Sequence, residues 1–488
     1  GFVNPWTFLL TIEGALLFAT AVVRRHGTDY QQSPGWPRSA LPFQVRGSVA
    51  GYDTAAAGEA PLGELWTPEW DRPVGIAELE HLFGEGRAEW GGSPARSGLD
   101  FARAVASLGV DRGLTAFERH IFVDRLGQNP LAVPGGRIEV VERAGVGALA
   151  ALDPWLARLR WDRAPSAVQA GVREVEAALF EHARTGGGQR LVAVLESVGR
   201  CHAAVARSGA ARERVRPLVL PEGRTLMGLL HPAATTDDME LRIALAVATA
   251  REESGERFVS LREFLTPIRR EKGRPEWSKR PDGVGLAAGL AAALADAARR
   301  RAFPGATPEV RGEEIAVRGS RIAFDRGVRL GGGDVTALAR RTLDEGRCAD
   351  LVSGLLCVRW GSADHVLDSG GADRDPAVDL ILPFTGVEPV RVPNELGWRQ
   401  VLLRPDPAWP LKLLAGDVAS VLQEAARRLR ISGFRFVIDP GDRAPDADLG
   451  AALAALLVVP IDRSLRLPAL RRVAVLPDVQ SRLDKETA

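Results

Sequence analysis

The pattern of apolar and polar positions predicts a mixed N-terminal part. Apolar residues recur at helical spacing over residues 97–108, and Gly109 follows as a stop signal, which predicts an amphipathic helix. Three short runs with strand character come next, at Ile121–Leu126, Pro130–Val133 and Arg137–Val141. Pro134-Gly135-Gly136 separates the last two runs and favours a turn. This part of the chain is therefore expected to contain both helices and strands.

From Ala148 onwards the pattern becomes helical. Long alanine-rich segments with helical spacing cover residues 148–161, 165–184, 189–208, 236–253 and 284–302. Residues 309–330 alternate apolar and polar positions, which predicts a strand meander, and residues 411–430 and 446–459 are helical again. The predicted fold class is α+β, predominantly α, with a small β insertion. The predicted sections are a mixed α/β part, a helical section, a small α+β section and a C-terminal helical section, at 1–145, 146–305, 306–405 and 406–488.

An apolar segment near the start, Phe8–Val23, resembles a membrane span in composition but is too short to cross a bilayer, and Glu13 interrupts it. Asn4 and Pro5 favour a helix start, and arginines followed by Gly27 favour a helix end. We expect a buried core helix over residues 5–25 and no membrane association.

Composition and charge change this picture little. The 63 cations and 62 anions nearly cancel, so overall charge names no partner. All but four of the cations are arginine; the guanidinium group suits phosphate, but a GC-rich genome is the commoner cause of this pattern. Three cysteines without CxxC spacing provide no disulfide framework and no zinc site, which favours a reducing, cytoplasmic compartment.

Local clusters of cations are more informative. Residues 265–281 have three prolines and no periodicity, which predicts an exposed loop. Against two glutamates, the loop carries six cations and an aromatic residue, at Arg269, Arg270, Lys272, Arg274, Trp277, Lys279 and Arg280. Cations that neutralise phosphates beside a ring that stacks on a base are typical of nucleic-acid contacts. A solvated charged loop is the competing interpretation.

Two further cationic groups carry weaker signals. Arg427, Arg428 and Arg430, with Arg435 nearby, close the helix predicted at 411–430, where cations are favoured in any case. A third group lies in the N-terminal part among phenylalanines and several acidic residues, at Arg96, Arg103, Arg112, Arg119 and Arg125.

Enzyme motifs are largely missing from the sequence, since it contains no phosphate-binding loop, no HExxH and no GxSxG. The one carboxylate cluster is Asp364, Asp368, Asp373, Asp375 and Asp379. Several carboxylates can hold divalent ions for phosphodiester cleavage, so a metal-dependent nuclease is one alternative function. A solvated turn is the simpler interpretation of this loop, and a purely structural interaction protein is another alternative.

Three long strings resemble the large subunit of type I-G (formerly I-U) CRISPR effector complexes. They are NPWTFLLTIEGALLFATAVVRR (4–25), AGYDTAAAGEAPLGELWTPEWDRP (50–73) and GRAEWGGSPARSGLDFARAVASLGVDRGLTAFERHIFV (86–123). The helix at 415–430, AGDV followed by arginines, is also similar to the carboxyl part of that family. The likeness extends over most of the chain but is dense only in residues 1–145.

The resemblance implies a non-enzymatic DNA-contacting subunit without a cofactor. Such a subunit is expected to bind the other effector subunits, crRNA and double-stranded target DNA near the protospacer-adjacent motif, and to help recruit a helicase-nuclease. The C-terminal helices are expected, by analogy, to act as a small-subunit-like bundle. Members of this family are longer and carry the NPW block internally, so motif-reading residues are expected in a preceding portion if one exists. No functional residue is carried over from the family.

Overall fold

The computed structural model of the protein has an α+β fold that is mostly helical, which confirms the predicted fold class. The structure describes residues 4–475 apart from 11, 13–42, 49–61, 86–87, 126–127, 236–237, 255–256, 272–273, 279–284, 303–321, 325, 362–364, 368–369, 371–373, 395–396 and 437–445. Contacts divide the chain into two compact units: unit 1 is residues 1–153 with 172–194, and unit 2 is 154–171 with 195–488. The four sections drawn from the sequence stay predictions.

The strands are β1 (Gln44–Val45), β2 (Gly63–Trp70), β3 (Glu89–Trp90), β4 (Ser93–Pro94), β5 (Leu114–Arg125), β6 (Gln128–Glu139), β7 (Arg251–Ser254), β8 (Arg257–Ser260), β9 (Ile268–Glu271), β10 (Arg274–Trp277), β11 (Val390–Asn394), β12 (Gly397–Val401), β13 (Arg435–Phe436) and β14 (Ala474–Val475).

The helices are α1 (Ile76–Glu85), α2 (Gly98–Ala106), α3 (Leu152–Leu159), α4 (Ser166–Thr185), α5 (Gly188–Arg207), α6 (Gly209–Arg214), α7 (Gly223–Thr235), α8 (Met239–Thr249), α9 (Arg262–Leu265), α10 (Leu290–Ala302), α11 (Gly332–Arg340), α12 (Glu345–Leu355), α13 (Pro376–Ile381), α14 (Trp409–Leu414), α15 (Val418–Ile431), α16 (Ala447–Leu456) and α17 (Arg466–Val473).

Unit 1 is built on an antiparallel sheet with strand order β1-β2-β5-β6. Helix α2 begins at a capping box in which Ser97 and Asp100 exchange side-chain and backbone hydrogen bonds, and the apolar face predicted for this helix is buried. Phe101 of α2 stacks on Trp66 of β2 at 4.4 Å between ring centroids and meets Phe117 of β5 edge-on at 5.1 Å. These aromatic contacts form the core that joins the helix to the sheet.

The turn predicted at Pro134-Gly135-Gly136 is wrong, because these residues lie inside the continuous strand β6. Gly136 pairs with Arg119 and Pro134 pairs with His120, so Gly135 is a bulge. Gly136 has a φ of 92°, and a side chain at Gly135 would lie 2.9 Å from the Arg119 side chain. The glycines therefore let β6 pass over a bulky arginine instead of reversing the chain.

The helix predicted over residues 5–25 is described only at residues 5–10 and 12. Asn4 caps it as predicted, since its side-chain oxygen accepts a hydrogen bond from the Trp6 amide at 3.0 Å. The apolar side chains of this helical segment are exposed, Trp6 and Leu10 most of all, which contradicts the predicted burial. Glu13 and the rest of the predicted helix lie outside the described residues.

Unit 2 is mainly helical, and small residues set its closest helix contacts. Helices α5 and α12 cross at Gly199 and Gly354, where an added Cβ would lie 1.9 Å from a carbonyl oxygen of the facing helix. Alanine-rich faces of α10 and α16 pack together in the same way. The alanine-rich pattern therefore follows from close helix packing in this unit.

Several predictions for unit 2 differ from the structure. The helix predicted over residues 236–253 ends at Thr249, and Arg251–Ser254 form β7. The helix predicted over residues 411–430 is broken at Gly416, whose φ is 79°, and Asp417 caps the new helix α15. Of the meander predicted over residues 309–330, the described part forms isolated bridges only, such as Leu330 with Ile461. The apolar residues of the described part, from Ile322 to Leu330, are buried without forming a strand ladder.

Within the described residues, none of the helices combines the length and the apolar character that crossing a bilayer requires.

Candidate nucleic-acid interface

The basic segment at residues 265–281 contains a β-hairpin, so the exposed loop predicted there is wrong. Strands β9 and β10 pair antiparallel, with Ile268 opposite Trp277 and Glu271 opposite Arg274. Ile268 is buried and Trp277 half-buried, and these two side chains hold one end of the hairpin against unit 2. The sequence did not predict this pairing, because the segment contains prolines and proline usually argues against a strand.

Trp277 is an anchor of this hairpin. Its indole N–H donates a hydrogen bond to the Val215 carbonyl at 2.7 Å, and its ring lies 5.1 Å from that of His202. His202 in turn stacks with Trp155 at 6.4 Å. The sequence predicts that Trp277 stacks on a base. In the structure, the ring of His202, from the same unit, lies beside the Trp277 ring.

The cations of the hairpin are partly balanced by glutamates. Arg269 lies opposite Glu276 in the pairing register, and it forms an exposed ion pair with Glu271 at 2.8 Å. Arg274 is exposed and lies opposite Glu271. Lys272, Lys279 and Arg280 lie outside the described residues, and of Arg270 only the backbone is described.

A cavity of about 330 Å³ opens beside the hairpin and gathers more arginines than the hairpin itself. The hairpin contributes Ile268, Arg269 and Pro275 to its wall. The other lining residues come from four further segments: Val219; Ala248, Thr249, Ala250 and Arg251; Ser260, Arg262 and Glu263; and Leu356, Val358, Arg359 and Trp360. Four arginines thus face one glutamate, while the remaining walls are largely apolar.

The cavity has a fixed interior and an accessible rim. Arg251 is buried and donates a hydrogen bond to the Gly361 carbonyl at 2.6 Å, and Arg262 donates one to the Leu218 carbonyl at 2.6 Å. Both guanidinium groups are therefore held in place by backbone oxygens. Arg359 and Arg269 are exposed. An anion that approaches from solvent meets the exposed pair first and the fixed pair behind it.

Sequence inspection missed Arg251, Arg262 and Arg359, because they are widely separated along the chain and each has an ordinary local context. Arg251 begins β7, Arg262 begins α9 and Arg359 follows α12, so only the tertiary structure brings the three together. The Leu220 amide donates a hydrogen bond to the Cys357 carbonyl, and the Arg359 amide donates one to the Leu220 carbonyl, so the last of these segments is fixed by its backbone. Of the four arginines that line the cavity, only Arg269 lies in the segment that the sequence predicts to be a basic cluster.

The second predicted basic group lies on α15. Arg428 forms an ion pair with Asp406 and sits 5.7 Å from the Trp409 ring, so it holds the preceding loop against the helix. Arg427 and Arg430 are exposed, and so is Arg435 on β13. This group therefore divides into one structural arginine and three on the surface.

The third group belongs in part to the core of unit 1. Arg119 is completely buried and binds the Glu64 carboxylate through two hydrogen bonds, at 2.7 and 2.8 Å. Arg103 is buried and forms an ion pair with Asp153. These two arginines stabilise the fold and are closed to an external phosphate.

The aspartate cluster is only partly described. Asp375 caps α13, and Asp379 is buried between Arg374 at 2.9 Å and Arg472 at 3.3 Å. Asp364, Asp368 and Asp373 lie outside the described residues. In the part of the chain that the structure describes, no three His, Cys, Asp or Glu side chains form a group that could hold a metal ion.

Burial also limits the reactivity of the cysteine thiols. Cys201, Cys348 and Cys357 are all buried. Burial raises the pKa of the Cys357 thiol to about 11 and raises that of Cys348 as well, which keeps both thiols protonated and poorly nucleophilic near neutral pH.

Comparison with known proteins adds no relative to these observations: no protein-family model matches the chain, and neither does any curated protein.

Proposed function

We propose that this chain is a non-enzymatic, polynucleotide-contacting subunit of an RNA-guided surveillance complex of the type I-G kind. Its expected partners are the other effector subunits, crRNA, double-stranded target DNA near the protospacer-adjacent motif and a helicase-nuclease, in the cytoplasm. The family strings in residues 4–123 motivate the identity of the complex. The contact with nucleic acid is supported by the structure of unit 2.

The observation that carries this proposal is the convergence of Arg251, Arg262, Arg269 and Arg359 on one cavity beside the basic hairpin. Guanidinium groups match the geometry of phosphate oxygens, and their charge attracts a polyanion. A chain of nearly zero net charge thus concentrates positive charge at one place. Such a local patch suits a subunit whose remaining surface contacts other proteins.

The nuclease alternative gains no support from the described aspartates. Asp375 already caps a helix, and Asp379 is buried in an ion pair with the buried Arg374. Incubation of the purified chain with labelled DNA and Mg²⁺ or Mn²⁺ tests it directly. Cleavage that is lost in Asp375→Ala would overturn the non-enzymatic proposal.

Nucleic-acid contact is tested by measuring the affinity of the full chain for labelled DNA over a range of salt concentrations. The double variant R269E/R359E is expected to bind more weakly and to reduce the salt slope by about one unit for each lost phosphate contact. R207E is the matched control, because Arg207 is an exposed arginine outside the cavity wall.

Two outcomes contradict the proposal. If the wild-type chain binds no DNA or RNA at low salt, alone or with crRNA and the other subunits, it is a purely structural protein. If R269E/R359E and R207E give the same slope as the wild type, the arginine-lined cavity is not the contact.

A further inference from the structure

Building on the proposed function, we infer that the arginine-lined cavity receives a single unstacked nucleotide of a polynucleotide, with its phosphate at Arg269 and Arg359 and its base inside. Three features of the cavity support this inference: its size, the presence of both arginine and apolar side chains in its wall, and its accessible rim.

The size of the cavity selects the ligand. Its volume of about 330 Å³ lies at the lower end of the range for small-ligand sites, roughly 300–1,000 Å³. A duplex cannot enter such a space, and an inorganic phosphate would leave most of it unfilled. One nucleotide is the unit of a polynucleotide that matches it.

The walls of the cavity contain both arginine and apolar side chains. The guanidinium groups provide donors for phosphate oxygens. Leu356, Val358 and Trp360 form an apolar wall that suits the face of a base, and the indole N–H of Trp360 is already satisfied by the Leu355 carbonyl at 3.0 Å. A base placed against an aromatic ring contributes through stacking and shows little sequence preference.

Because the side chains in the interior of the cavity are already fixed, they lose little conformational entropy when a ligand binds. Arg251 and Arg262 are held by backbone carbonyls before any ligand arrives, and Thr249 is held by its bond to the Leu245 carbonyl at 2.6 Å. In a pre-formed interior of this kind, the side chains that binding must order are those of the rim arginines only. Turning a base out of a duplex costs the free energy of unpairing and unstacking, and this cost is smaller in a strand that is already open. The cavity is therefore expected to favour single-stranded or opened DNA.

The first experiment measures the binding of deoxyadenosine monophosphate to the full chain by calorimetry. Inorganic phosphate and deoxyadenosine serve as probes of the two halves of the ligand, and each is expected to bind at least about tenfold more weakly, because each lacks one set of contacts. S260F is expected to abolish binding of the monophosphate, since Ser260 is half-buried in the wall and a phenyl ring there fills the space for the base. R359E is expected to abolish it by removing the rim charge.

The second experiment repeats the S260F comparison with a labelled single-stranded oligodeoxynucleotide. We expect S260F to lower the affinity about tenfold, the loss typical of one stacked base, and R207E to have no effect. Melting curves followed by circular dichroism show whether S260F is folded. If it is not, R359E decides the question, because Arg359 is on the surface and its loss leaves the core intact.

The outcomes separate the two proposals. If the oligonucleotide binds, the monophosphate does not, and S260F is without effect, the nucleotide cavity is wrong while the proposed function stands. If the monophosphate binds in the cavity but S260F leaves oligonucleotide affinity unchanged, the ligand is a free nucleotide and the polynucleotide source is overturned. If no oligonucleotide binds, to the chain alone or with crRNA and the other subunits, the proposed function itself fails.

Discussion

Arg119 in unit 1 and the arginines of the cavity in unit 2 show two uses of one residue type. Arg119 meets a single carboxylate with matched geometry, so its charge is cancelled inside the core. In the cavity, four arginines and one glutamate line the wall, and Arg269 and Arg359 are exposed to solvent, Arg269 in an exposed ion pair with Glu271. The role of an arginine cluster therefore depends on the neighbouring charges and on the solvent exposure of the arginines, which the sequence alone does not show.

The sharpest test of the buried half of this comparison is Glu64→Gln. The Glu64 carboxylate accepts hydrogen bonds from Arg119, from the Trp66 indole at 3.1 Å and from the Ser48 amide at 2.7 Å. Loss of its charge leaves the guanidinium of Arg119 buried without a counter-charge, which costs about 3–5 kcal/mol. Urea denaturation measures the free energy of unfolding.

Glu271→Gln is the matched control, because it removes one partner of the exposed pair with Arg269. Exposed pairs contribute about 0–1 kcal/mol. Equal losses in the two variants would show that the buried pair has no special role and would break the comparison.

A smaller effect is expected from Gly98→Ala. A Cβ at this position would lie 2.1 Å from a carboxylate oxygen of Glu64, and that carboxylate cannot retreat without giving up its hydrogen bonds. Overpacking of this kind costs about 1–3 kcal/mol. The same change at Gly147 meets no atom within 4 Å and serves as the control. A shift of the urea midpoint that is no larger for Gly98→Ala than for Gly147→Ala would contradict this account.

The smallest expected effect concerns pH and the anchor of the hairpin in unit 2. Burial, together with the smaller effect of the positive charge of Arg262, lowers the pKa of His202 from 6.5 to about 3. The unfolded chain therefore takes up a proton here below about pH 6.5, whereas the folded protein does so only near pH 3. The stability that the neutral ring contributes is complete above pH 6.5 and is lost as the pH falls towards 3.

His202→Phe removes this titration while keeping an aromatic ring between Trp155 and Trp277. We expect the free energy of unfolding of the variant to fall less than that of the wild type between pH 7 and pH 5.5, by about 1 kcal/mol. His365→Phe, at an exposed histidine, is the control. Parallel pH profiles for the wild type and His202→Phe would exclude His202 as the source of the acid sensitivity.

Several elements followed directly from local sequence. The helix predicted at 97–108 is α2, with its cap at Ser97 and its apolar face buried, and Asn4 caps the first helical turn as expected. These features depend on neighbouring residues only, namely a capping side chain and apolar residues at helical spacing. The α+β class, mostly α, could be predicted from the same patterns.

The elements that were wrong depend on distant partners. Pro134-Gly135-Gly136 is a bulge because Arg119 lies beneath it, and residues 268–277 form a hairpin because Ile268 and Trp277 anchor it in unit 2. Neither cause is visible within the segment itself. A turn signal and a bulge signal use the same residue types, so local chemistry alone cannot separate them.

The sequence by itself determined the fold class, the capped helices and the presence of a basic segment near residue 270, because each is encoded by residues close together along the chain. Only the tertiary structure decided which arginines are buried with a carboxylate, which line the cavity, and that Trp277 is an anchor. The physical reason is that the effect of a charge depends on its distance from other charges and on its exposure to water. Both are set by packing between segments that lie far apart in the chain.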